Sequence, residues 1–411
     1  MIHDIFRILE IVAIFGTVAG LGYYVLCWFS AARFLGERKT AGRSARPTHP
    51  TPAAPPVSIL KPLKGTDPEM YESFRSHCRQ DYPEYEIIFG VSEADDPAIE
   101  FVERLKAEFP QIPIRLVLCL RNLGANTKVS NLAQLVTEAR YEHIVVNDSD
   151  IRVEADYLLN VVAPLADPKV GLVTCLYRGV ASPGLGSRLE SLFISTDFCA
   201  GVLVARLVEH GIHFGLGSTL AFRRSDLAPT GGFEALVDYL ADDYEIGRCI
   251  AALGLKIELS GTVVETFLPR YDLKQFLDHQ LRWARTIRDS RPGGYAGLVT
   301  TFGLPWAFLA LICARGAGWA WVLLGVAIFM RCAVAFVVGR MVLQDKQVTS
   351  WLALVPLRDF VGALVWLIGF RGHAVTWRGD SFELKDGKLV RMRPLLHSPA
   401  GDASSSKRPS E

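Results

Sequence analysis

The hydrophobic pattern divides the 411-residue chain into three zones. Residues 11–30, IVAIFGTVAGLGYYVLCWFS, form an uncharged run long enough to cross a bilayer. Three further apolar runs follow residue 297: LVTTFGLPWAFLALICA, GAGWAWVLLGVAIFMRCAVAFVVG and SWLALVPLRDFVGALVWLIGF. Between them, residues 57–296 mix apolar and charged positions as a soluble domain does. Short β-branched runs there predict strands at 57–60, 86–91, 114–120 and 144–146. The intervening segments carry helical spacing, with Met70, Phe74 and Cys78 on one face, then Ile99, Val102 and Leu105, then Val129, Leu132 and Leu135 on a helix over 128–139. Asp67-Pro68 and Asp96-Pro97 supply a cap followed by proline at two of the helix starts. Such alternation predicts an α/β domain built on a mostly parallel sheet with helices on both faces. The second half is less regular, with strands at 170–177, 218–223 and 255–260. A helix runs from Tyr244 to Gly254, and Leu273, Leu277 and Leu281 stripe a last helix over 272–288.

These zones set the expected boundaries. Residues 1–39 are an anchor with a basic flank, 40–56 a Pro/Ala-rich linker and 57–296 the soluble domain; 297–371 hold membrane segments and 372–411 a tail, disordered over 395–411. Arg33, Arg38, Lys39, Arg43 and Arg46 follow the first span, which places the soluble domain in the cytoplasm of a multi-pass inner-membrane protein. Three crossings after residue 297 would then put the basic 377–393 segment outside. One run is therefore expected to lie in the interface or re-enter. The first candidate is 298–314, which contains Pro305; the second is 351–370, whose interior Arg358-Asp359 is costly in lipid unless it faces protein or water. A net charge of +1 with no dominant basic block argues against a nucleic-acid partner. Eight cysteines without a C-x-x-C pair argue against a zinc site or a disulfide framework.

Candidate chemistry begins at HIVVNDSDIRV, residues 143–153. If the strand alternation persists, Asp148 and Asp150 point the same way and repel, and a divalent cation (Mg or Mn) is the natural partner for such a pair. The plain alternative is a polar loop that caps the next helix. In parallel α/β sheets ligands bind beyond the carboxyl ends of the strands, and the segments there are 61–65, 92–96, 123–131 and 147–150. Asp242 and Asp243 open the later helix, either as acids favoured by its dipole or as a general base aimed at the same cleft. His279, Arg282, Trp283 and Thr286 share a face of the 272–288 helix, which reads equally as an interfacial anchor or as a diphosphate clamp.

Taken in order, VSILKPLKGTDPEMYESFRSHCRQDYPEYEIIFGVSEADDPAI, NTKVSNL, NDSDIRV, GLVTCLYRG, GLGSTLAFRR…GGFEAL…LADDYEIG and HQLRWARTIR resemble the ceramide glucosyltransferase family, glycosyltransferase family 21. Within that family they look most like the bacterial hopanoid-biosynthesis glycosyltransferases. The likeness covers roughly 55–295. It implies a GT-A type nucleotide-sugar-binding domain flanked by transmembrane helices. The implied activity is inverting transfer of one sugar from UDP-glucose or UDP-N-acetylglucosamine to a hydroxyl of a membrane lipid, a ceramide or a hopanoid polyol. The product would be a β-linked glycolipid. By that resemblance Glu93, Asp95 and Asp96 lie near the nucleotide, Asp148 and Asp150 hold the metal, Asp243 is the base, and Arg282 and Trp283 end the (Q/R)-x-x-R-W motif. His279 departs from the motif's usual first residue, and Asp242 adds a second carboxylate beside Asp243. Lys128 and Asn131 are candidates for phosphate or ribose, or form an ordinary helix N-terminal turn; Trp283 is an acceptor contact or a belt residue at the bilayer surface. Two rival readings are a processive polysaccharide synthase, which shares this layout but usually carries more spans, and a non-catalytic lipid- or sugar-binding membrane protein.

Overall fold

The computed structural model describes residues 2–44, 54–377 and 380–391. Eight strands form the main sheet: β1 (Val57–Pro62), β2 (Tyr85–Val91), β3 (Ile114–Leu118), β4 (His143–Val146), β5 (Ile151–Arg152), β6 (Val170–Val180), β7 (Leu220–Arg223) and β8 (Lys256–Phe267). Their order across the sheet is β3-β2-β1-β4-β7-β6-β8-β5. The first four are mutually parallel, as the alternation of elements predicts. The other half is mixed: β7 is antiparallel to both β4 and β6, while β8 runs parallel to β6 and antiparallel to β5. Between β6 and β7 lies an apolar helical run, Leu185–Val208, that the strand–helix pattern does not foresee. It returns the chain at the end of the sheet where it left, so β7 must run backwards.

Successive strand residues enter opposite cores, as the pleat requires. Leu60, Ile144 and Val146 meet Leu132 and Phe222 on one face. Ile59 and Val145 meet Phe74, Phe89 and Val102 on the other. The helix Thr127–Glu138 is capped by Asn126, whose side chain accepts from the Val129 N–H at 3.2 Å. The helix Met70–Cys78 starts later than Asp67-Pro68 implies. Glu69 sits at φ 53°, outside the helical region, and the Asp67 carboxylate accepts from the Ser149 hydroxyl instead of capping.

The N-terminal helix is continuous over Ile2–Ser44, so it runs on into the range expected to be linker; the rest of that linker, 45–53, lies outside the described residues. At about 1.5 Å per residue it is roughly twice as long as a bilayer core is thick. Its far end packs on two other apolar helical runs: Glu37 pairs with Arg206 at 2.7 Å, and Arg38 donates to the Val342 carbonyl at 3.3 Å. Within the apolar part, Gly20 packs directly on Gly303; a Cβ on Gly20 would stand 2.2 Å from the Gly303 Cα. Close approach at small residues is how helices associate where no hydrophobic force separates them from lipid.

Among the described residues, four helices are long and apolar enough to cross a membrane: Asp4–Thr40, Leu185–Val208, Gly318–Val342 and Leu352–Gly369. Leu185–Val208 differs in being 56% buried inside the protein, against 17% for the first. It packs between the sheet and the membrane helices. The run expected to be re-entrant is broken: Pro292–Thr301 and Gly303–Cys313 meet at a bend of 54°. The second piece has 11 residues, about half of what a crossing needs. Arg358 and Asp359 do not face lipid, being 3% and 6% exposed.

The expected tail holds a second sheet, β9 (Ala374–Trp377), β10 (Asp380–Lys385) and β11 (Lys388–Arg391), with β10 in the middle. It docks on the soluble domain through backbone hydrogen bonds, Leu389 N–H to the Asp238 carbonyl at 2.7 Å and Leu240 N–H to the Gly387 carbonyl at 3.2 Å. The expected disordered stretch 395–411 lies outside the described residues. This docking requires an even number of crossings between the two parts. We therefore expect cysteines placed at the exposed Lys169 and Lys385 to react with an impermeant maleimide from the same side of the membrane. Labelling of Lys385→Cys alone from outside intact cells would refute this topology.

Candidate active site

The carboxyl ends of β1 and β4 converge on a cavity of about 1130 Å³ that also reaches the membrane helices. Asn147 anchors the turn after β4. Its amide donates to the Tyr157 hydroxyl at 2.8 Å and to the Ser218 carbonyl at 2.7 Å, and its Oδ1 lies 3.2 Å from Nε2 of the buried His77. Asp148 and Asp150 both line the cavity, but not by strand alternation, since β4 ends at Val146. A turn, closed by the Ile151 N–H on the Asp148 carbonyl at 3.4 Å, brings them together. Lys61, at the end of β1, donates to the same Asp148 carbonyl at 3.1 Å. Burial pulls the Lys61 ammonium down to about 7, against the pull of Asp150 and Asp148.

Asp242 and Asp243 begin the helix Asp242–Ala252 and enter the cavity from the opposite wall. Asp243 is oriented by two backbone donors, Gly217 N–H on Oδ2 at 2.7 Å and Tyr244 N–H on Oδ1 at 2.8 Å. Gly217 stands between the two walls: a Cβ there would lie 3.2 Å from Asp243 Oδ2 and 3.4 Å from Asp148 Oδ2. Any larger residue would crowd the gap between these carboxylates. Burial, and then the neighbouring Asp242, pushes the Asp243 carboxyl up to about 6. Burial and then Asp148 push Asp150 up to about 6 as well, although Thr266 donates to its Oδ2 at 2.5 Å. Burial also raises Asp242, which Lys128 opposes.

Lys128 spans the two walls, with Nζ 2.9 Å from Asp148 Oδ1 and 3.1 Å from Asp242 Oδ2. Burial alone would depress it, but Asp148, Asp242 and Asp243 together hold it above its usual range. It therefore balances the carboxylates in this structure while also lining the cavity. Asn131 lines the cavity while its Oδ1 accepts from the Ser92 hydroxyl at 2.9 Å. Glu93 and Asp95 are exposed, and neither they nor Asp96 line the cavity. Both Asp96 oxygens accept from the Gly65 N–H, at 3.0 and 3.1 Å, and Oδ1 also accepts from the Ala98 N–H at 2.8 Å. That carboxylate ties the β1 loop to the next helix.

The helix Leu273–Ser290 supplies His279, Arg282 and Trp283 to the cavity wall. Trp283 packs edge-on against Phe193 and Phe198, with ring centroids 5.6 and 5.3 Å away, so it belongs to an aromatic cluster with the 185–208 run. His279 stacks on Tyr271 at 5.4 Å, and its Nδ1 lies 3.1 Å from Oε1 of Glu190. Glu190 is fully buried and also accepts from Gln280 at 2.8 Å. Sequence reasoning misses this acid. Its only signal is a carboxylate inside an apolar run. With His279 engaged to protein, His279→Gln is expected to keep most activity, and His279→Ala to raise the KM for the nucleotide sugar several-fold by loosening Trp283. A fall in kcat beyond about a hundredfold for the glutamine variant, the size of a lost acid–base group, would make His279 a rival base.

Among the described residues no three His, Cys, Asp or Glu side chains converge as a metal cage. The donor set nevertheless fits a hard divalent cation. Asp148 and Asp150 are hard oxygen donors, and burial together with repulsion from Asp148 makes the charge on Asp150 costly without a cation beside it. Magnesium-type ions commonly take one or two carboxylates and complete their shell with water and substrate phosphates.

A half-parallel sheet with acidic side chains gathered at its strand ends, on a cavity of about 1130 Å³, has the architecture of a GT-A type glycosyltransferase domain. The sequence profile of glycosyl transferase family 21 matches residues 12–390, and the chain belongs to that family. Ceramide glucosyltransferase 1 of Caenorhabditis elegans is 23% identical over 360 residues, spanning 83% of this chain and 74% of the relative. The ceramide glucosyltransferase of Komagataella phaffii is 33% identical over 212 residues, 46% of this chain and 40% of its own. In fold, the chain matches a mannosyltransferase, PcManGT from Pyrobaculum calidifontis in complex with GDP-Man and Mn2+. The TM-score is 0.55 at 23% identity, covering 87% of this chain and 99% of that one.

Proposed function

We propose that the protein transfers one sugar, glucose or N-acetylglucosamine, from its UDP-linked donor to a hydroxyl of a membrane lipid, a ceramide or a hopanoid polyol, with inversion at the anomeric carbon. The observation that carries this reading is the single cavity, which joins the carboxylate cluster at the strand ends to the membrane helices. A soluble donor enters at one end and a lipid at the other.

Asp243 is the general base. Two backbone N–H groups fix its orientation, and its raised carboxyl group suits proton abstraction from an alcohol near neutral pH. As the hydroxyl oxygen bonds to the anomeric carbon, its proton passes to Asp243 and the diphosphate leaves from the opposite face of the sugar. An α-linked donor therefore gives a β-linked product. Arg282 lines the same cavity and is the fixed cation that meets the departing diphosphate. Asp148 and Asp150 would hold a divalent cation, magnesium or manganese, which when bound supplies neutralising charge to that diphosphate. The basic residues after the first span orient the domain toward the cytoplasm, where UDP-sugars are available, and the membrane is then the inner one.

The purified chain, incubated with either UDP-sugar and short-chain ceramide or a hopanoid polyol, should yield a lipid heavier by one hexose or one N-acetylhexosamine in mass spectra. A ladder of sugars would instead show a processive synthase. No product with any donor and lipid pair would leave a binding protein.

A further inference from the structure

The deep end of the cavity holds a set of polar side chains that the proposed chemistry does not use. Arg331, on the helix Gly318–Ala335, donates from Nε to both oxygens of Asp359 at 2.9 Å. From Nη2 it donates to the Thr196 hydroxyl at 3.1 Å and to Asp197 Oδ1 at 3.0 Å. Arg331 and Asp359 have side chains only 3% and 5% exposed, whereas that of Asp197 is 35% exposed. Asp197 lies on the apolar run Leu185–Val208, among helices suited to lipid, and lines the cavity. Its Oδ2 also lies 3.2 Å from the Thr196 hydroxyl, yet the carboxylate keeps lone pairs turned to the cavity, and such exposure among apolar helices is expensive unless something further hydrogen-bonds to it.

Two donors in the same place are unsatisfied. Arg331 Nη1 is buried without a hydrogen-bond partner, and the buried Tyr24 hydroxyl donates to no protein acceptor. Both residues line the cavity. Buried polar groups in folded proteins almost always find partners, so two idle donors beside a partly exposed carboxylate mark a place where a polar molecule belongs. The charges say what kind. Around this end of the cavity, Arg331 and Arg358 face Asp197, Asp359 and Glu190, and Glu190 also meets His279, so basic groups at most equal the carboxylates. No surplus positive charge awaits a phosphate. The site also adjoins the transfer centre: Phe198, next to Asp197, touches Trp283, which follows Arg282.

We propose that Asp197, Arg331 and Tyr24 form the headgroup subsite for the lipid acceptor, which they recognise as an uncharged headgroup offering a hydrogen-bond donor, an amide N–H or a hydroxyl, to Asp197. This rests on the lipid-acceptor reading above and adds the residues that select the lipid. Arg331, held on one side by Asp359, is the rigid floor of the subsite. Asp197 accepts from the headgroup, and Tyr24 donates to it.

The test uses the full chain in phosphatidylcholine nanodiscs, with short-chain ceramide as acceptor and whichever UDP-sugar supports transfer. Tyr24→Phe removes one hydroxyl that no protein group needs, and Asp197→Asn removes the charge while keeping the shape. The acceptor KM should rise about five- to tenfold for Tyr24→Phe and tenfold or more for Asp197→Asn, the scale of one neutral and one charge-assisted hydrogen bond. The donor KM and the slow hydrolysis of UDP-sugar by water should stay within about twofold, because neither involves the lipid. An acceptor KM unchanged in Tyr24→Phe overturns the subsite, as does a donor KM that rises, or a hydrolysis rate that falls, in step with the loss of transfer. If Asp197→Asn does not fold, Tyr24→Phe decides alone. Phosphatidylglycerol that competes with ceramide better than an uncharged N-acyl amino alcohol overturns the headgroup class. If the parent chain transfers sugar to no lipid while still hydrolysing its donor, the lipid-acceptor reading fails first, and the subsite falls with it.

Discussion

Asp243→Asn is expected to lower kcat by about 10²–10⁴-fold while changing the KM for the nucleotide sugar only a few-fold. A base acts as the bond forms, so its loss appears in turnover and not in donor binding. The carboxylate now accepts from the Gly217 and Tyr244 N–H groups. Asparagine can satisfy only one of them well, so the donor KM also reports whether the site keeps its shape. The pH profile gives a second readout. Burial and then Asp242 raise the Asp243 carboxyl to about 6. The base works only when ionised, so kcat should hold above that value and fall as pH drops through it. Asp242→Asn removes the second of those causes and should move the acidic limb to lower pH while activity persists. If Asp242→Asn is the inactive variant and Asp243→Asn turns over normally, the base has been assigned to the wrong carboxylate.

Removing divalent cations should stop transfer, and Asp150→Ala should abolish the response to added magnesium or manganese, with a loss of roughly 10²–10³-fold of the kind seen when one stabiliser of developing charge is removed. The reason is electrostatic. Asp150 is raised to about 6 by burial and by Asp148, so the pair carries a repulsion that a cation relieves. Protons compete for the same oxygens, and the apparent affinity for manganese, followed by its electron paramagnetic resonance signal, should weaken as pH falls through about 6. Asp148→Asn should weaken binding too, and should also release Lys128, whose Nζ lies 2.9 Å from Asp148 Oδ1. Full turnover in excess chelator would remove the metal from this site and leave Lys128 and Arg282 as its only proposed cations.

Local sequence patterns carried a large part of the architecture. Strand and helix periods located β1 to β4 and their helices, because a two-sided core forces each buried run to declare its period. The apolar runs located three of the four helices apolar enough to cross a membrane, because lipid tolerates few charges, but missed Leu185–Val208. The two aspartates after β4 were legible as a site because a carboxylate pair at a strand end has few structural uses. The reason given for their meeting, persistence of the strand, was not the one the fold uses. A turn does it, held by Asn147 through contacts with Tyr157 and Ser218 that are distant in sequence.

What the chain alone determined, then, were the features set by neighbours in sequence: the periods, the spans and the acidic motifs. Tertiary structure decided which charges balance one another. The sequence places Lys128 at a helix start, and only the fold sets it between Asp148 and Asp242. Arg358 and Asp359, adjacent in the chain, turn to different partners: Arg358 donates to Gln280, and Asp359 accepts from Arg331. The run containing Glu190 and Asp197 reads as apolar, and only its packing against the helices at 273–290 and 318–335 turns those two acids into part of a cavity. A charge gains or loses stability with its surroundings in three dimensions, through distance and exclusion of water, and neither quantity is written in the order of residues.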